Sequence, residues 1–237
     1  MMQNTLTIAG RQFRAYFNGP VAYIVIALSL LIVGFLFWEP FFLMNRASVR
    51  EMFRFMSWML IVGAPAITMG LLADERRSGT LELLITMPVR ESEVILGKFL
   101  GAVGLLAVLL LCSLPYPISV AQLGSLDWGQ VATGYLGLFL QGCAMIALGI
   151  AASSFTENQL VAFFVATFVF LFMTVLGFYL PLWSGSFASF LEWITFDFHR
   201  ESMGRGVIDT RDVIYFVSFA TIFLMLAFRA LESRRWS

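Results

Sequence analysis

Apolar residues run almost unbroken through six stretches of the chain, near Val21–Trp38, Phe55–Ala73, Phe99–Val120, Val131–Ser153, Gln159–Leu182 and Val213–Phe228. Runs of about 20 apolar residues are long enough to cross a bilayer as helices. Lipid cannot satisfy loose backbone groups, so only helices or closed barrels cross it. The short alternating segments of barrel strands are missing. The pattern therefore predicts an all-α integral membrane protein with six transmembrane helices. The last run is the shortest and calls for interfacial flanks or a locally thin bilayer. Pro65 in the second run, and Pro115 and Pro117 in the third, each remove a helix hydrogen bond and predict kinks.

Ahead of the first run, Leu6, Ala9, Phe13, Tyr16 and Phe17 recur at three- and four-residue steps, with Asn4, Thr7, Arg11, Arg14 and Asn18 on the opposite side. This predicts an amphipathic helix lying in the membrane interface, ended by Asn18-Gly19-Pro20. The apolar run that follows is too long for a signal h-region and is not followed by a small-residue cleavage site, so these residues are expected in the mature protein.

Composition agrees, with 59% hydrophobic and 13% charged residues and a formal net charge of zero, whereas soluble domains run at about 25% charged. Nothing in that balance points to nucleic acid. Placing the N-terminus inside puts Arg11, Arg14, Arg76, Arg77, Arg90, Lys98, Arg229, Arg234 and Arg235 on the cytoplasmic side. Only Arg46, Arg50, Arg54, Arg200, Arg205 and Arg211 then fall outside, which favours cytoplasmic termini. None of the runs carries an ionisable residue near its middle, unlike ion-coupled transporters and voltage sensors. Cys112 and Cys143 both fall in apolar runs and predict packing, not a disulfide. His199, beside Arg200 and Glu201, reads as a surface residue, and Glu157 as an acid at the turn "SSFTENQ". No metal cluster, H-E-x-x-H or nucleophile elbow occurs. Gly97-Lys98 has the ending of a phosphate-cradling loop, but Ser92 stands where its first glycine is required. The chain is thus expected to be no enzyme and to bind no cofactor. Gly134, Gly137, Gly142, Ala147 and Ala151 in the fourth run permit close helix approach, within the chain or between two copies.

One stretch breaks the apolar texture, "DERRSGTLELLITMPVRESEVILGK" from Asp74 to Lys98. Asp74, Glu75, Arg76 and Arg77 end the second span, and Ser78-Gly79-Thr80 breaks it. A helix of about two turns fits Leu81–Met87 before Pro88 bars its continuation. Leu81, Leu84 and Ile85 share one face of it, and Glu82 and Thr86 another. So short a helix is marginal alone and needs a groove to dock into, on a soluble partner. Glu75 or Glu82 set against Arg90 or Lys98 would hold the flanking helices in register; a solvated loop whose leucines dip into the interface is the plainer alternative.

This stretch resembles the signature loop of type-2 ABC transporter permeases: an acid, Ser-Gly-Thr, a second acid, a Leu pair, a Pro, then Gly-Lys at the start of span three. Pro115–Pro117, "DWGQVATGYLGLFLQG", "SSFTENQ", "GVIDTRDVIYF" and "LESRRW" resemble the branch that includes gliding-motility and nitrous-oxide-reductase-maturation permeases. The resemblance covers essentially the whole chain, 1–237, as a single permease domain. It implies an elbow helix at 1–20 (with Arg11, Phe13, Arg14 and Phe17), spans one and two at 21–73, a cytoplasmic coupling loop at 74–98, spans three to five at 99–182, an external loop at 181–212, and span six with a cytoplasmic tail at 213–237. It further implies a coupling helix at Thr80–Met87 that meets the ATPase through Thr80, Leu81, Glu82, Leu84, Ile85 and Met87. Asp74, Glu75, Arg76, Arg77, Arg90 and Lys98 brace that loop. By the same resemblance, the chain is half of an exporter in a bacterial inner membrane. It works with a second permease copy or homologue and two ATP-binding subunits that hold the ATP and Mg, with room for an extracytoplasmic auxiliary protein. Moving an external partner mechanically, without passing a substrate, is the alternative. No large external domain separates spans five and six. Phe187, Phe190, Leu191, Ile194 and Phe198 are spaced there as in a re-entrant or interfacial helix, or as ordinary packing residues.

Overall fold

The computed structural model of the chain describes residues 2–44, 48–79, 90–179, 191 and 193–232. Over those residues the chain is helical: α1 (Met2–Asn18), α2 (Val21–Met44), α3 (Arg50–Thr68), α4 (Gly70–Arg77), α5 (Glu91–Cys112), α6 (Pro115–Leu123), α7 (Trp128–Phe155), α8 (Gln159–Tyr179), α9 (Phe196–Gly204) and α10 (Thr210–Glu232). The six spans are α2, α3 with α4, α5 with α6, α7, α8 and α10. The apolar runs locate all six; most of the helices extend past them because residues at their ends also take helical backbone, while α8 is described as far as Tyr179. α10 reaches from Thr210 to Glu232, so the last span is long enough without the thin bilayer that the Val213–Phe228 run suggested.

The prolines divide spans as well as bending them. α3 ends three residues after Pro65. α6 opens on Pro115, at the first helical position, where its missing N–H is not needed. The break there is used for docking: Ser113 Oγ lies 2.9 Å from Tyr135 OH of α7, and Tyr116 OH donates to Leu30 O of α2 at 2.7 Å.

α7 is the axis of the bundle and packs against α3, α5, α8, α9 and α10. Its small residues are spent inside the chain. A Cβ at Gly134 would sit 2.3 Å from the Phe53 ring, one at Gly142 would sit 2.4 Å from Leu106, and Gly137 faces Met203 at 3.1 Å. Ala147 and Ala151 are buried. Of the two uses open to this stripe, close approach within one chain is the one realised. α2, α8 and α10 instead turn most of their apolar surface outward, as helices facing lipid do.

At the middle of α7, Gln141 meets Ser57 of α3. The amide donates to Ser57 Oγ at 2.7 Å and the hydroxyl lies 3.0 Å from Gln141 Oε1, with both side chains buried. Hydrogen bonds of this kind between membrane helices are worth about 0.6 kcal/mol on average and rarely exceed about 1.7. Gln141→Leu is expected to lower unfolding stability in detergent by about 1 kcal/mol, by leaving the Ser57 hydroxyl alone. Adding Ser57→Ala should recover most of that loss. A Gln141→Leu variant as stable as the parent would show that the pair contributes nothing.

Candidate functional site

The charged root of the 74–98 stretch is built by α4. Leu71, Leu72 and Ala73 bury its inner side, which leaves the next three side chains to reach different neighbours. Asp74 accepts a hydrogen bond from Gln159 Nε2 at the start of α8. Glu75 Oε1 lies 2.7 Å from Lys98 Nζ of α5. Arg76 pairs with Glu157 at 3.0 Å and donates to Ser154 O at 3.2 Å, both at the α7–α8 turn. Arg77 is exposed.

Lys98 is the most enclosed of these charges, its side chain only 3% exposed. A buried ammonium must be paired and hydrogen-bonded to be tolerated, and Lys98 is both: it also donates to Leu71 O. Among the described residues, Glu75 pairs with Lys98; Glu82 lies outside them. Arg76 and Asp74 reach Glu157 and Gln159 of the next turn. Glu157 is thus an intramolecular ion-pair partner as well as a turn acid.

The chain leaves α4 through Ser78, whose hydroxyl donates to Asp74 O at 2.8 Å, and Gly79, whose φ of 69° suits glycine alone without strain. It returns at Arg90, whose N–H donates to Glu93 Oε2 at 3.1 Å. Asn4 of α1 reaches the same carboxylate at 3.4 Å. Thr80, Leu81, Glu82, Leu84, Ile85 and Met87 lie outside the described residues.

Just before α4 the span is jointed. Ser153 of α7 sets its hydroxyl against the backbone there, accepting from Leu72 N at 3.1 Å and Ala73 N at 3.0 Å and donating to Met69 O at 3.0 Å. Tyr16 of α1 donates to Ile67 O at 2.9 Å, and burial pushes its phenol above the ordinary range, so it stays a donor. One turn before Ser153, Gly149 lets Thr68 close in: a Cβ there would lie 2.1 Å from Thr68 Oγ1.

α1 is the predicted amphipathic helix, but its apolar side lies on protein. Gly97, Gly101 and Gly104 of α5 form a flat strip against which Ile8, Gln12 and Phe13 pack. Phe13 and Phe17 stack at 5.0 Å, and Phe17 meets Tyr23 at 5.9 Å. Arg11 and Arg14 remain exposed. Leu6, placed on the apolar side by its spacing, is 60% exposed: the strip meets Thr5 and Ile8 on either side of it.

At the opposite end of the bundle, His199 corrects the surface reading. It is fully buried, with Nδ1 2.7 Å from Asp212 Oδ1, Nε2 2.8 Å from Trp193 O, and Tyr215 stacked on the ring at 3.9 Å. Its charged neighbours in sequence point away, and its partners come from α10 and the segment before α9. Ser202 also hydrogen-bonds Asp212, through Oδ2. The carboxylate thus lies between serine and histidine, and the imidazole cannot take the serine proton as a nucleophilic triad requires. The trio clasps α9 to α10. Phe187 and Phe190 lie outside the described residues, while Phe196 is buried and Phe198 is half exposed.

Compared with known families, residues 40–234 match the profile described as ABC-2 family transporter protein. Among curated proteins none matches. The matched region holds the whole of the charged root, the joint and the far-end clasp, and begins after α1.

Proposed function

This chain belongs to the ABC-2 transporter family, and from that premise we propose that it is the permease half of an exporter, driven through residues Thr80–Met87 by a separate ATP-binding subunit. Members of this family are the membrane component of ABC transporters and pair with such a subunit. The observation that carries the finer reading is the clamp at the loop's root. Glu75 and Lys98, on the helices that leave and re-enter the membrane, are in contact, and α4 is tied through Asp74 and Arg76 to α7 and α8. A push on the short segment between Gly79 and Arg90 therefore reaches four helices at once. Arg90 caps the return of the loop, and α1, seated on α5, serves as the elbow that steadies it.

In this reading the root and both termini face the cytoplasm, as the Lys and Arg balance favours, and the membrane is a bacterial inner membrane. ATP and Mg belong to two copies of the partner. A second permease copy or homologue completes the pathway, and an extracytoplasmic protein has the far-end cap to act on. The chain itself catalyses nothing. The alternative, a device that moves an external partner without passing cargo, uses the same root and differs only at the far end.

Co-purification with the ATP-binding subunit, followed by reconstitution in liposomes, tests the proposal. ATP-dependent cargo transfer with no third protein present favours the exporter over the mechanical device; activity without any ATPase overturns both. Leu84→Asp places a charge in the docking ridge. It is expected to weaken association with the ATPase about 30-fold, the equivalent of about 2 kcal/mol of lost apolar burial, while the permease stays folded. Unchanged co-purification would remove Thr80–Met87 from the contact.

A further inference from the structure

α1 turns one face to the protein and leaves the other open. While Ile8, Gln12 and Phe13 lie on the glycine strip of α5, Thr7, Gly10, Arg11, Arg14 and Asn18 are exposed. With Leu6 they line an open trough of about 510 Å³, a size within the range of ligand sites. Gly10 forms its floor. A Cβ built there meets nothing within 4 Å, in contrast to Gly97, Gly101 and Gly104. No close packing inside the chain therefore accounts for a glycine in the middle of this helix, where glycine is destabilising. Arg11 and Arg14 stand one turn apart beside it. Among the described residues neither has an ion pair or hydrogen bond, whereas Arg50, Arg54, Arg76 and Arg200 each hold a carboxylate. α1 contains no Asp or Glu that could serve them.

The trough lies close to the membrane boundary. α1 ends at Asn18 and the first span opens at Val21, with Tyr23 59% exposed at its start, as interfacial tyrosines are. At the helical rise Arg14 is about 6 Å and Arg11 about 10 Å from the end of α1, whatever its tilt. The headgroup layer is about 5–8 Å deep on each side of the bilayer, and arginine stems extend to set the guanidinium among the headgroups. We propose that this face is a binding site for one anionic phospholipid of the leaflet on the side of the charged root. The Arg11 and Arg14 guanidinium groups donate to its phosphate oxygens, Gly10 lets the headgroup approach the helix backbone, and Leu6 meets the start of an acyl chain. Guanidinium forks match phosphate geometry. A headgroup of net negative charge is preferred to a zwitterionic one because α1 offers no carboxylate for an ammonium group. On its inner side α1 is tied to Ile67 O and Glu93, so lipid held on the outer side adds to the stability of the root. The site precedes the family match, which begins at residue 40, and is independent of the motor contact at Thr80–Met87.

Native mass spectrometry of the purified full-length chain, titrated in detergent with phosphatidylglycerol or with phosphatidylcholine of the same acyl chains, tests this. The first phosphatidylglycerol is expected to bind about 30-fold tighter, as two arginines at an anionic headgroup supply, and the preference should fall with salt. Arg11→Gln/Arg14→Gln should remove the preference. Gly10→Leu should weaken phosphatidylglycerol binding with both charges still in place. Arg77→Gln/Arg211→Gln, at exposed arginines elsewhere, should change nothing, and hydrogen exchange over α1 verifies that each variant keeps the helix seated. Equal affinity for the two lipids in the parent chain overturns the site, as does a preference that survives Arg11→Gln/Arg14→Gln. An equal loss in Arg77→Gln/Arg211→Gln also overturns it, since diffuse charge would then be the cause. If the parent shows no lipid preference and Arg11→Gln/Arg14→Gln instead releases the ATP-binding subunit, the face is a protein contact, and the lipid assignment fails while the reading of Thr80–Met87 stands.

Discussion

Lys98→Met is expected to destabilise the folded protein by about 3–5 kcal/mol, the range seen when one partner of a buried ion pair is removed. The side chain is 3% exposed and its Glu75 partner 21%, so water can replace little of what is lost. Lys98 spends one N–H on Glu75 Oε1 at 2.7 Å and another on Leu71 O. Methionine has similar length and shape and keeps the apolar packing of the stem, so the loss reports the charge and its hydrogen bonds. Chemical unfolding in detergent measures it. A loss under about 1 kcal/mol would mean that the pair behaves like a solvated surface bridge. The double variant Glu75→Leu/Lys98→Met separates stability from transmission. Replacing both members of a buried pair by apolar residues is often neutral, so most of the stability should return, less about 1 kcal/mol for Leu71 O, which stays without its donor. If the pair clamps the coupling root, ATP-driven activity stays low in the double variant although the protein is stable again. Recovery of both together would reduce Glu75–Lys98 to a packing detail.

Why this pair was readable from sequence, and others were not, comes down to what each residue's partner is. Glu75 and Lys98 are opposite charges at the two ends of one loop between adjacent spans, so topology alone brings them near. The spans were readable because bilayer burial demands length and apolarity, and both are local properties. Ser153 carries no such mark. A serine at the end of an apolar run looks like any small residue, and its partners are backbone groups of another helix about 80 positions away. Pro65 announced a bend, and α3 stops three residues after it. His199 misled because its sequence neighbours are charged, whereas its burial is decided by α9 folding back on Asp212 and Tyr215 of α10. The glycine strip of α5, Gly97-x-x-x-Gly101-x-x-Gly104, has a close-approach spacing, but nothing local marks what it receives: α1 is remote in sequence, and its amphipathic pattern fits a lipid interface as well as a protein groove.

That strip sets the second large effect. Gly97→Leu/Gly101→Leu is expected to lift α1 from α5 and cost about 2–6 kcal/mol, since each overpacked site costs about 1–3 kcal/mol when its neighbours cannot yield. They cannot yield here. A Cβ at Gly97 would lie 2.7 Å from Ile8 Cβ and 3.0 Å from Thr5 O, and one at Gly101 would lie 2.8 Å from Gln12 Cβ and 3.1 Å from Ala9 O. Both sites meet the backbone side of α1, so only the whole helix can move. Gly104 is the control: its nearest neighbour is the Phe13 ring at 2.9 Å, which can swing aside, and Gly104→Ala should cost less than about 1 kcal/mol. Hydrogen exchange reads the outcome, because amides of α1 lose protection when the helix loses its tertiary support. Unchanged protection in the double variant would mean that α1 holds to the membrane and not to α5. Displacing α1 also withdraws the Tyr16 hydroxyl from Ile67 O and Asn4 from Glu93. The damage therefore reaches the α3–α4 junction and the return of the loop at Arg90 without any substitution there, which makes α1 part of the charged root of the 74–98 stretch and not an independent anchor.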